Sequence, residues 1–132
     1  MKLCIKHRKD LVEKYQLDIL KEFILQLQKN LPLNGNVDIH FLDKQEGKMT
    51  TGSFTDKKGL IKVLFKGRML ADVLRTLSHE WAHYYDHQKK KIKDRNPIGG
   101  DAENFANEKS GEETKRFIKS HPKLKSKIFK PA

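Results

Sequence analysis

Cysteine occurs once in the 132 residues, at Cys4. A single thiol excludes an internal disulfide framework and a multi-cysteine zinc module. Acidic residues are in deficit: 17 Asp and Glu stand against 28 Lys and Arg, for a net charge of +11. Long apolar runs are missing, and none approaches the roughly 18–20 residues that a membrane span needs. The first ten residues, MKLCIKHRKD, lack the apolar stretch of a signal peptide. Glycine-rich phosphate loops, paired ribonucleoprotein-type aromatics and zinc-finger spacings are absent too, so the basic charge comes without a nucleic-acid-binding motif. Only 36% of the residues are apolar, but these fall in periodic runs, which favours a small folded domain over disorder. The expectation is one soluble, cytoplasmic domain over residues 1–121, followed by a basic tail over 122–132.

The apolar periods give an α+β order. Asp10 is placed to cap a helix carrying Leu11, Val12, Tyr15, Ile19, Leu20, Phe23, Ile24 and Leu27 on one stripe. Pro32 and Asn34-Gly35 end it near Asn30. Val37, Ile39 and Phe41 then alternate with polar neighbours as a strand. Met49 to Phe54 reads as a weaker strand and Leu60 to Phe65 as a third, with turns at 44–48 and 56–59. Short links between them predict a small, mostly antiparallel three-stranded sheet. A second helix runs from about Met69 to Lys91, with its core stripe at Leu70, Val73, Leu74, Leu77 and Trp81. Asn96 to Gly100 breaks the helical pattern, and Asp101 caps a third helix. Gly111 interrupts that helix, with Ser110 and Glu113 as a capping box for a fresh start. Pro122 opens a tail expected to be poorly ordered. From Lys115 to Ala132 the sequence has seven Lys and Arg and no acid. Such a segment can contact a phosphate backbone, or serve only as solvated surface.

The chemistry sits at His79-Glu80-Trp81-Ala82-His83. Two histidines four apart lie on one helix face, one turn above the other. Their rings can converge on one zinc ion, and Glu80 is placed to take a proton from its water. The residue counts of this sequence give about 0.02 such matches by chance. Zinc needs a third protein ligand and an open position for water. His87 extends the series, but 79 and 87 are about 12 Å apart along a helix, too far to share an ion. His121 lies in the basic segment, and Asp101 is occupied as a cap. Glu103, in the first turn of the next helix after a reversal of direction, is the chosen ligand. The plainer reading of Glu103 is an acid favoured by the helix dipole. Asn107, one turn on, and Asp86, near His83, are placed to hydrogen-bond the ligands.

The stretches TLSHEWAHYYDH and GGDAENFANE resemble the zincin metallopeptidases, and among them the gluzincins. In that group the H-E-x-x-H helix gives two His ligands and the catalytic Glu, and the following helix gives a Glu as third ligand. The element order is similar to the compact minigluzincins and ImmA/IrrE-type intracellular proteases; a SprT-like, DNA-linked protease is the other relative considered. The resemblance covers Asp38 to Glu108, and the extended metzincin signature is missing. It implies zinc held by His79, His83 and Glu103, with Glu80 as the base that activates water against a peptide carbonyl. Tyr84, Tyr85, His40 and Arg116 are the candidate oxyanion donors. The substrate is expected to extend along the edge strand at 49–54. Two other classes remain open. One is a basic nucleic-acid- or protein-binding module with an inactive zincin core. The other is a metal-dependent hydrolase of a non-peptide substrate.

Overall fold

The computed structural model describes residues 1–89 and 101–130. The fold is α+β: β1 (Lys2–His7), α1 (Lys14–Asn30), β2 (Asn36–Leu42), β3 (Gly52–Thr55), β4 (Leu60–Leu64), α2 (Leu70–Lys89), α3 (Asp101–Ser120) and the short α4 (Lys125–Ile128). The end of the second helix at Lys91, the break at 96–100 and the side chain of the expected Asp101 cap lie outside the described residues.

The sheet departs from the sequence expectation in strand number and direction. It has four strands in the order β1-β2-β4-β3. β1 pairs parallel with β2, β2 pairs parallel with β4, and only β3 and β4 are antiparallel. A helix separates β1 from β2, which is the kind of crossover that parallel pairing requires. Residues 43–51 form a link long enough to carry the backbone past the position that β4 later fills. Sequence neighbours β2 and β3 therefore do not pair, and β3 becomes an edge. Gly59 closes the β3–β4 hairpin at φ +58, a conformation that strains any residue with a Cβ.

Val37, Ile39, Phe41, Ile61 and Val63 are fully buried or nearly so, and they alternate with half-exposed residues. One sheet face thus packs on the helices and the other meets solvent. Helix α1 contributes Ile19, Leu20, Phe23, Ile24 and Leu27, as its period predicts. Its N-cap is Glu13 rather than Asp10: the Gln16 side chain accepts the Glu13 N–H at 2.9 Å, and Asp10 sits at φ +69 in the preceding turn. At the other end, Trp81 of α2 is fully buried and donates its indole N–H to the Leu31 carbonyl at 2.8 Å. A buried Trp needs such a partner, and this bond ties the centre of α2 to the end of α1.

Helix α3 is continuous through Gly111, against the expected break. Ser110 and Glu113 do not form a capping box. Ser110 donates its hydroxyl to the Asn107 carbonyl at 3.1 Å. Glu113, 2% exposed, accepts from Gln26 and Asn30 of α1, both at 2.9 Å, and from Arg116 at 2.6 Å. These bonds fix α3 against α1 and offset the roughly 1 kcal/mol that a helical Gly costs relative to Ala. The segment after Pro122 is also structured. Pro122–Leu124 forms a 3-10 turn, and Ile128 of α4, fully buried, together with the partly buried Leu124, anchors the basic stretch to the core. Among the described residues no helix is long and apolar enough to cross a membrane.

Candidate metal centre

Helix α2 buries Val73, Leu74, Leu77, Trp81 and Ala82, which leaves the face of residues 79 and 83 turned off the core. The His79 and His83 side chains keep 20% and 22% of their exposure. Helix α3 packs beside α2 and brings Glu103 across both rings. His79 Nε2 lies 2.8 Å from Glu103 Oε1, and His83 Nε2 lies 3.1 Å from Oε2. The two Nε2 atoms are 3.2 Å apart. Donors 2.0–2.1 Å from a tetrahedral zinc ion are separated by about 3.3 Å, so this set fits such an ion after a small outward adjustment. Its chemistry fits as well: two imidazole nitrogens and a carboxylate are a usual zinc set. Two ring nitrogens and a carboxylate aimed at one point repel unless a proton or a cation lies among them.

Glu80 follows His79 directly. Burial first, then the nearby Glu103 carboxylate, push its carboxyl up to about 7. Burial and the neighbouring His79 push His83 below the ordinary histidine value, against the pull of Glu103 and Asp86. The start of β3 lies against Glu80. A Cβ on Gly52 would stand 2.5 Å from the Thr76 methyl and 3.2 Å from Glu80 Cγ. Only a glycine lets the edge strand approach α2 this closely. A cleft of about 350 Å³ runs between this strand and α3, with His79, Glu80 and Thr76 in its floor.

The other histidines lie elsewhere. His87 pairs with Asp56 at 3.0 Å, and His121 stacks on Phe117 with ring centroids 4.2 Å apart. Asn107 lines the cleft but does not hydrogen-bond to the three converging residues, and Asp86 is fully buried on α2. The expected oxyanion donors are engaged away from the centre. Tyr84 donates to the Asn36 carbonyl at 3.0 Å and stacks on Phe54. Tyr85 stacks on Phe105. His40 is on the solvent face of the sheet, in register with Lys6 and Lys62. Arg116 pairs with Glu113, thirteen residues and about 20 Å of helix beyond Glu103.

Sequence reasoning passed over Gly52, Thr76, Arg68 and Arg75, which all border the cleft. Two signals were available. A glycine inside a strand often marks close backbone approach, and Arg75 precedes His79 by one helical turn. No protein-family model, curated protein or solved structure matches the sequence or its fold.

Proposed function

We propose that the protein is a zinc-dependent peptidase of the gluzincin kind, acting on protein or peptide substrates. The observation that carries this reading is the convergence of His79, His83 and Glu103 within hydrogen-bonding distance of one another, with Glu80 in the floor of the adjoining cleft. The element order, a sheet followed by the H-E-x-x-H helix and then the glutamate helix, agrees with it.

His79, His83 and Glu103 would hold the ion. Bound there, zinc would supply Lewis-acid chemistry: it would polarise a carbonyl and make water more acidic. Glu80 accepts the proton of the attacking water and passes it to the leaving amine. The edge of β3, unpaired among the described residues, pairs with an extended substrate backbone and lays the scissile carbonyl over Glu80. Gly52 keeps that strand close enough to α2 for the alignment to hold.

Removal of the metal tests this reading. Dialysis against a chelator abolishes hydrolysis of an unfolded protein substrate such as casein, and about one equivalent of zinc per protein molecule restores it. Hydrolysis that persists in the chelated protein contradicts the proposal.

A further inference from the structure

We infer that the cleft beside Glu80 carries a carboxylate-recognition subsite, built on Arg68 and Arg75, that selects peptides with an acidic side chain one or two residues from the scissile bond. The inference rests on the peptidase reading and names its substrate class. Both arginines line the same cleft as His79 and Glu80.

Arg68 is a fixed cation. Its Nη1 donates to the Leu64 carbonyl at 2.8 Å, and its Nη2 donates to the Asp72 carbonyl at 3.1 Å and to Thr76 Oγ1 at 2.9 Å. These acceptors come from the end of β4 and the first turns of α2, so the guanidinium plane is locked between two elements. All three are neutral, which leaves the charge of Arg68 without a carboxylate partner among the described residues. Partial burial works against that charge, with the Asp72 carboxylate opposing. A guanidinium has five N–H donors, and three are used here. Two N–H donors, at Nε and Nη1, have no acceptor among the described residues.

Arg75 is exposed and forms no ion pair among the described residues. It precedes His79 by one turn, about 6 Å along α2. An extended peptide advances roughly 3.3–3.6 Å per residue, so a carboxylate at this distance belongs one or two residues from the bond cleaved. Asp72 also borders the cleft but lies outside ion-pair distance of both arginines. Thr50, Thr51 and Ser110 add neutral hydrogen-bonding groups.

The α-carboxylate at a peptide's end offers the same chemistry as an acidic side group, so the test separates them. Zinc-loaded Glu80→Gln protein is titrated with fluorescent peptides that differ only in one Glu, Gln or Lys, each with a free or an amidated C-terminus. The Glu peptide is expected to bind about tenfold tighter than its Gln match, with either terminus. In the same background Arg75→Gln removes the preference and Arg75→Glu reverses it toward Lys, so the charge lost at residue 80 cannot produce the contrast. Equal binding of the three peptides, or a preference unchanged by both Arg75 variants, overturns the subsite. A preference lost on amidation overturns the assignment to an acidic side group and transfers recognition to the peptide terminus. If the wild-type protein binds the Glu peptide selectively yet cleaves none of the set, the peptidase reading fails while the subsite stands.

Discussion

Under the proposed peptidase mechanism, replacing Glu80 with Gln is expected to lower peptide turnover by about 10²–10⁴-fold, the usual contribution of a general base. The substitution keeps the shape of the side chain and removes its basicity. Glu80 is absent from the converging trio of His79, His83 and Glu103, so zinc affinity remains near that of the wild type. Its neighbour Gly52 is met by the methylene stem, which Gln shares. Turnover and zinc content measured on the same preparation check both halves of the prediction. Unchanged hydrolysis rejects Glu80 as the base. Zinc lost together with activity shows that the residue acts through the metal site.

Glu103→Ala has the second large effect, on metal binding. Loss of a group that only supports a ligand typically costs 10–100-fold in affinity, so loss of a ligand itself is expected to cost more than about 100-fold. The side chain is 42% exposed and supports no core packing, so the metal-free protein unfolds at nearly the same temperature. The difference appears on adding zinc. The wild type is expected to gain thermal stability, since an ion held only by the folded state stabilises it, and the variant is expected to gain little. Competition with a fluorescent zinc chelator gives the affinities directly. Wild-type affinity in the variant places the third ligand elsewhere.

What the sequence made legible follows from the range over which each signal acts. His79, Glu80 and His83 could be read together because a helical period converts spacing into direction with little tertiary input. Glu103 required one further step, a reversal that returns the next helix to the same face. The strand order depended on where residues 43–51 travel, and no local pattern encodes that. β1 carries a readable alternation at Leu3, Ile5 and His7, but it is an edge strand and mostly exposed, so its apolar signal is weak. Ser110 and Glu113 match a capping box in sequence, yet Glu113 is consumed by Gln26 and Asn30 from a distant helix. A tertiary bond overrode a local motif there. The same holds for Ile128, whose burial depends on a core assembled by earlier segments. Tyr84 and Tyr85 follow the motif directly, but the helical twist turns them toward Phe54 and Phe105 and away from the cleft.

The most direct measurement is an anomalous diffraction map, collected at the zinc absorption edge, from crystals of the zinc-loaded protein. One strong peak is expected, about 2.0–2.2 Å from His79 Nε2, His83 Nε2 and a Glu103 oxygen. A peak that omits Glu103, a peak elsewhere on the molecule, or no peak at full zinc loading contradicts the metal centre.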